Sequence, residues 1–291
     1  MAIARALQEE IQNAVEALRA GELVAFPTET VYGLGANANN PEAVRKIFEL
    51  KGRPPTHPVI VHIDHPRYIQ RWVREMSPEA TRLAEAFWPG PLTLVAKRAP
   101  AVNDLITGGQ DTVAIRVPSH PVAQQLLNAF GGGIAAPSAN RYGHISPTRA
   151  EHVRDEFGDE TPLLLDGGET KIGLESTIVS CVDETPRLLR PGSITLTQLR
   201  AVVPNIEAGP GAKAPRVPGS TSRHYSPTTP VNIVPSRRLE QVMHEFTAKH
   251  EKVAVLAQRP PAMANPYMTW INAGTRPDAY GRQLYANLRT L

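Results

Sequence analysis

The chain has 291 residues, 41% of them hydrophobic and 20% charged, with 31 lysines and arginines against 28 acidic residues, one cysteine and 28 prolines. That balance fits a globular chain of one large domain or two unequal ones and argues against wholesale disorder. A net charge of +3 is too small for a polybasic nucleic-acid protein, and no apolar run nears the ~20 residues that span a bilayer.

Residues 3–18 place Ile3, Leu7, Ile11, Ala14, Val15 and Leu18 at helical spacing, with Gly21 as a stop. The apolar run 23–26 predicts a strand. Asn40-Pro41 predicts a helix N-terminus, with Asn40 as the cap, Val44, Ile47 and Phe48 as the buried face, and an end near Gly52. A strand is expected over 59–63 and a helix from Ser77-Pro78 through Phe87. Strands follow over 92–97 and 112–117, a helix over 121–130, a buried strand over 133–136 and a helix over 148–157. Short strands over 163–165, 177–181 and 187–189 precede a helix over 195–203. Strands and helices mix without a strict βαβ repeat, which predicts an α/β (α+β) fold with a twisted mixed sheet and surrounding helices.

Residues 204–230 are rich in Pro, Gly, Ser and Thr and lack periodicity, the composition of a linker. Beyond them, strands over 231–234, 252–257 and 268–271 and helices over 238–249 and 278–288 predict a small second α/β unit. The expected organisation is therefore 1–203, a linker or lid over 204–230, and a unit over 231–291. The lone Cys181 allows no internal disulfide, and the N-terminus MAIARALQEEIQNAV carries acidic residues early and no continuous apolar core. Both favour a reducing, cytoplasmic setting.

No GxxxxGK[ST] loop, HExxH, CxxC or GxSxG is present, and Gly33-Leu34-Gly35 is only a fragment of a dinucleotide loop. Four polar constellations instead stand at predicted strand ends. Pro27-Thr28-Glu29-Thr30-Val31-Tyr32 offers hydroxyls and a carboxylate, or simply a turn with local threonine hydrogen bonds. Lys51-Gly52-Arg53 supplies two cations suited to a polyphosphate, or to a helix C-terminus. His57, His62, Asp64 and His65 match no metal-ligand spacing, so no protein-held metal is expected. Thr112, Ala114 and Arg116 share one strand face, and an arginine among small apolar neighbours needs an anion from the protein or from a ligand. Ala136-Pro137-Ser138-Ala139-Asn140 lets backbone approach a ligand. Ser146-Pro147 reads as a helix cap, while Ser176 opens a strand and Arg190 closes one.

The order is more specific than any single element. Pro-Thr-Glu-Thr-Val-Tyr-Gly-Leu, Lys-Gly-Arg-Pro, Val-His-Ile, Trp88-Pro89-Gly90-Pro91-Leu92-Thr93, Ala-Ile-Arg-Val-Pro, Ala-Pro-Ser-Ala-Asn, Glu-Ser-Thr-Ile-Val and Leu-Arg-Pro-Gly follow one another. In this the chain resembles the threonylcarbamoyl-AMP synthases, the YrdC-like family, over about residues 5–200. His224-Tyr225-Ser226-Pro227 resembles the longer, two-domain members. The resemblance implies an enzyme, a nucleotidyltransferase with a wide cavity, that takes L-threonine, bicarbonate and ATP with Mg²⁺ to threonylcarbamoyl-AMP and diphosphate. Other proteins then transfer the threonylcarbamoyl group to tRNA, and a weak contact with tRNA itself is allowed.

By the same resemblance Thr30, His62, Arg116, Ala136 and Ser176 hold threonine, with Arg116 on its carboxylate. Lys51, Arg53, His57, Thr112, Ser138, Asn140, Ser146, Arg190 and Tyr225 surround ATP, and Lys51 and Arg53 act as the catalytic cations. His57 stands where members often carry Asn. Long members also continue past residue 291, so a truncated or reduced second unit is expected. Three rivals stand beside this reading. A carbamoyl-adenylate enzyme of hydrogenase maturation would need a cysteine-rich zinc module, which one cysteine excludes. An RNA-binding module would bind tRNA with steep salt dependence. A nucleotide-binding regulator would bind ATP and release no diphosphate.

Overall fold

The computed structural model describes residues 2–211, 214–219 and 225–291, with side chains from residue 6 onward. His224, one half of the His-Tyr pair in the linker, lies outside the described residues.

Helix α1 (Ala2–Arg19) leads into β1 (Val24–Phe26) and β2 (Gly33–Asn37), and α2 (Pro41–Lys51) follows. Asn40 caps α2 with its side chain, and Gly52 ends the helix at φ 61°, a left-handed conformation that costs glycine little. Next come β3 (Ile60–His62), α3 (Pro78–Phe87), β4 (Leu92–Lys97), α4 (Asp104–Thr107), β5 (Thr112–Arg116), α5 (Pro121–Phe130) and β6 (Ile134–Ala135). Then α6 (Ala150–Phe157), β7 (Leu163–Leu164), β8 (Thr177–Ser180), β9 (Arg187–Arg190), α7 (Leu196–Val202) and β10 (Glu207–Ala208) close the larger sheet. Its strand order is β10-β9-β8-β4-β5-β3-β6-β2-β1-β7, with parallel and antiparallel neighbours mixed. This is the mixed sheet the sequence predicted.

Two strands escaped the sequence reading. Gly33–Asn37 reads as a turn-rich motif, yet it pairs with β1 and β6, because alternate small residues let Phe26 and Ile134 pack over it. Glu207–Ala208, within the linker composition, is held as an edge strand on β9. The expected strand over 231–234 does not form. Val231 and Ile233 are 60% and 98% exposed, so nothing buries the apolar alternation that suggested it. After it, α8 (Leu239–Thr247), β11 (Val253–Ala257), β12 (Met268–Asn272) and α9 (Pro277–Thr290) follow, with β11 and β12 a parallel pair.

The two faces of the large sheet are covered unequally, and this creates the site. One face carries the main core, in which Val44, Ile47, Leu83, Ile106, Val153 and Leu199 from α2, α3, α4, α6 and α7 pack on the sheet. On the other face α1 and α5 cover only the β1, β2 and β6 side, through Ile11, Leu18, Leu126 and Leu127 against Phe26 and Ile134. The rest of that face, around Ile60, Val95, Ala114 and Ile178, is met by Val217 from the linker. Helix α9 folds back, and Tyr285 buries itself with Val31 and Ile145 beside Tyr225. Each such buried aromatic removes enough apolar surface to stabilise by about 2 kcal/mol.

Candidate active site

Strand register gathers the polar constellations. His62 and Arg116 are register partners on the parallel strands β3 and β5, and Ile178 pairs with Arg190 across β8 and β9. Side chains at neighbouring strand ends therefore converge, although they come from 160 residues of chain between Thr30 and Arg190. The cavity among them is lined by Thr28, Thr30, Arg53, His62, Arg116, Ala136, Ser138, Glu175, Ser176, Arg190 and Tyr225. About 440 Å³ of space, open in part to solvent, lies between them.

Arg116 is buried and answers the need for an anion with a protein carboxylate. Its Nη2 donates to Glu29 Oε1 at 2.6 Å, Nη1 to Thr30 Oγ1 at 2.9 Å, and Nε to the Gly90 carbonyl at 3.3 Å. The sequence left that anion open between the protein and a ligand, and the resemblance supplied a ligand carboxylate; the protein partner, 87 positions away, is Glu29. Burial alone would raise the Glu29 pKa, but the Arg116 charge and hydrogen bond and the Ser119 N–H outweigh it and lower it below the usual range. The carboxylate stays ionised.

The other cations sit differently. Arg53 lines the cavity and donates from Nη2 to the Pro58 carbonyl at 2.8 Å, while its buried Nε has no hydrogen-bond partner. Burial brings its pKa down to about 10, so it stays charged at neutral pH. Arg190 grips the Ser176 carbonyl through Nε and Nη2 at 3.0 and 2.9 Å, and donates to the Tyr225 hydroxyl at 3.0 Å and to the Pro218 carbonyl at 3.0 Å. Lys51 lies just behind the lining and donates from Nζ to the carbonyls of Ser138 and Asn140. Burial, then the nearby Arg53 charge, pushes its pKa well below that of a free lysine.

His62 is buried, with its Nδ1 unpartnered, and burial together with Arg116 brings its pKa down to about 3. It is a neutral imidazole that touches the cavity, not a charge. Ser176 Oγ shares a 2.8 Å hydrogen bond with Thr93 Oγ1 and accepts one from Arg190 Nη2 at 2.9 Å. Thr28 and Thr30 hydroxyls lie 2.8 Å apart.

All but one of the expected residues fall into two groups. Thr30, Arg53, His62, Arg116, Ala136, Ser138, Ser176, Arg190 and Tyr225 come together around the cavity. Lys51, His57, Asn140 and Ser146 form a border behind it. Ser146 Oγ donates to Glu175, Asn140 Nδ2 donates to the carbonyls of Arg141 and His144, and His57 Nδ1 meets the Tyr142 hydroxyl at 3.2 Å. Thr112 lies at the opposite end of β5 from Arg116 and does not line the cavity. Two carboxylates were missed as site residues, Glu29 and Glu175. Both stood inside quoted motifs, and the signal for them was the excess of buried cation, which needs compensating charge.

Three comparisons with known proteins bear on this geometry. Residues 16–192 match the Sua5/YciO/YrdC family profile, described as telomere recombination. Residues 194–291 match the profile described as the threonylcarbamoyl-AMP synthase C-terminal domain. The chain is 43% identical over 258 residues to the threonylcarbamoyl-AMP synthase of Pyrococcus abyssi, covering 85% of this chain and 76% of that protein. It is 44% identical over 254 residues to the Bacillus subtilis protein of the same name, covering 85% and 73%. The crystal structure of P. abyssi Sua5 complexed with L-threonine matches with a TM-score of 0.89 at 40% identity, over 96% of this chain and 84% of that one.

Proposed function

The chain belongs to the Sua5/YciO/YrdC family, and on that premise we propose that it is an L-threonylcarbamoyladenylate synthase, forming threonylcarbamoyl-AMP and diphosphate from L-threonine, bicarbonate and ATP. The observation that carries the reading is one cavity in which Arg53, Arg116 and Arg190 meet the hydroxyls of Thr30 and Ser176 under Tyr225. Such a site suits an amino-acid carboxylate beside a polyphosphate.

In the reaction the threonine amine adds to bicarbonate with loss of water, giving a carbamate. A carbamate oxygen then forms a bond to the α-phosphorus while the bond from that phosphorus to the diphosphate oxygen breaks. Threonine sits with its carboxylate toward the remaining N–H groups of Arg116 and its polar groups near Thr30, neutral His62, Ser176 and the backbone at Ala136. The phosphates face Arg53 and Arg190, with Ser138, Asn140 and Ser146 along their path and His57 and Thr112 at its margins. Lys51 stands behind that path, and an approaching phosphate favours its charged form. Catalysis is then positioning and charge neutralisation, with no covalent enzyme intermediate.

Mg²⁺ enters as part of the ATP substrate. Among the described residues no group of three His, Cys, Asp or Glu side chains could hold a metal by protein ligands alone. The Glu175 carboxylate and Ser146 hydroxyl are the hard oxygen donors that fit a phosphate-borne Mg²⁺. When bound, the ion neutralises charge on the phosphate oxygens.

The linker residues 214–219 and Tyr225 act as a lid that shields the mixed anhydride from water. The product passes to tRNA-modifying proteins in the cytoplasm, and any contact with tRNA is weak. No helix of the described residues is long and apolar enough to cross a membrane. The deciding experiment incubates the protein with ATP, Mg²⁺, bicarbonate and each amino acid in turn. Diphosphate release that requires both threonine and bicarbonate is the expected result. ATP binding without diphosphate release would make the chain a nucleotide-binding regulator instead.

A further inference from the structure

Arg116 has five N–H groups, and three of its hydrogen bonds go to the protein, to Gly90, Thr30 and Glu29. Two of those acceptors are neutral and could be met by many rotations of a flexible side chain. Glu29 is different. Its Oε1 takes Arg116 Nη2 at 2.6 Å, and its Oε2 is fixed by the Ser119 backbone N–H at 3.0 Å. The carboxylate is thus anchored to the chain just beyond β5, the strand that carries Arg116. Both side chains are buried, 4% and 5% exposed for Arg116 and Glu29. Glu29 itself does not line the cavity, whereas Arg116 and Thr30 do.

We propose that Glu29 is a positioning residue for threonine: clamped between the Ser119 N–H and Arg116, it fixes the plane of the guanidinium so that the free N–H groups face the amino-acid subsite. The inference rests on the reading of Arg116 as the carboxylate partner. A bidentate arginine contact depends on orientation as well as charge, and a misplacement of ~1 Å can cost about a hundredfold. The clamp also keeps the pair electrically balanced before substrate arrives, so Arg116 needs no stray anion to remain buried. A purely structural ion pair would predict something else, a loss of stability with threonine and ATP affected alike.

The test measures KM for threonine and for ATP, kcat and the melting temperature in the full chain and in Glu29→Gln and Glu29→Asp. Gln removes the charge at nearly constant shape, and Asp keeps the charge but withdraws the carboxylate by one methylene. The expected result is a threonine KM raised about tenfold or more in both variants, with ATP KM within about twofold of the parent. Unchanged threonine KM in either folded variant overturns the proposal. So does a parallel rise in both KM values, which marks a structural role, and so does tighter threonine binding in Glu29→Gln, which marks charge balance alone. If Glu29→Gln does not fold, Glu29→Asp is read by the same outcomes. Absence of threonine-dependent diphosphate release in the parent chain would instead overturn the proposed function, so the two failures are distinguishable.

Discussion

The Tyr225 hydroxyl accepts a hydrogen bond at 3.0 Å from Arg190 Nη1, the guanidinium that also holds the Ser176 carbonyl. The contact joins the linker to the end of β9. Tyr225 adopts φ 57°, an unusual conformation for a bulky residue, and its ring lies 6.0 Å from that of Tyr285 on α9. The Arg190 guanidinium also donates to the Pro218 carbonyl at 3.0 Å, so Arg190 ties two points of the linker to the sheet.

Tyr225→Phe removes only the hydroxyl, about 1 kcal/mol of net hydrogen bonding, and is expected to shorten the lifetime of enzyme-held threonylcarbamoyl-AMP severalfold. Tyr225→Ala is expected to shorten it further. Chasing labelled product in the presence of each variant measures the effect. Unchanged product lifetime and ATP affinity in Tyr225→Ala would reduce the segment to a passive tether.

Gly173 lies against α9 with φ 70°, and a Cβ there would come within 1.9 Å of the Arg282 carbonyl oxygen. Neither the conformation nor the backbone neighbour can yield cheaply. Gly173→Ala is expected to cost on the order of 1–3 kcal/mol and to loosen α9. Faster amide exchange over residues 277–290 than in the parent chain checks this, with turnover falling because Tyr285 leaves Tyr225.

Burial, then the Arg53 charge, lowers the Lys51 pKa, and a phosphate beside it would raise it again. At a pH where Lys51 is partly neutral without ATP, ATP binding is therefore expected to take up a proton, and affinity to weaken as pH rises. Calorimetry in buffers of different ionisation enthalpy measures the uptake. Lys51→Met is expected to abolish it together with most of the turnover.

His62 stays neutral in the fold down to about pH 3, whereas an unfolded histidine protonates near 6.5. Between those values the unfolded chain binds the extra proton, so stability rises with pH through that window by up to ~1.4 kcal/mol per unit. Glu29, with its folded pKa lowered, adds stability above the ordinary carboxylate range that is lost as pH falls. Urea midpoints across this acid range should therefore decline toward low pH, and His62→Gln should flatten the decline.

Much of this was legible in the chain itself because it is local. Asn40-Pro41 and Gly52 delimit α2 by cap chemistry alone, and the helical period of residues 3–18 shows which face of α1 meets the core. The motif order carried Thr30, Arg116, Ser176 and Arg190 to one site, since Arg116 and Arg190 close strands, Ser176 opens one and Thr30 lies between two. Composition alone, with seven of 28 prolines in residues 204–235, set this stretch apart from the periodic segments around it. What composition could not show is that Val217 and Tyr225 from this stretch roof the open half of the sheet.

Charge pairing was decided only in three dimensions. The buried arginine needs an anion, but any of several acidic residues could supply it until the loop after β1 reaches the end of β5, with three strands between them in the sheet, and Glu29 comes within 2.6 Å. The same holds for Val231–Val234, whose strand pattern lacks a neighbour to bury it, and for Tyr285, which reaches Tyr225 across 60 residues. Periodicity, caps and motif spacing are properties of a segment, so the sequence determines them alone. Which buried charge is answered by which partner depends on desolvation, and desolvation exists only once distant segments have closed around the group.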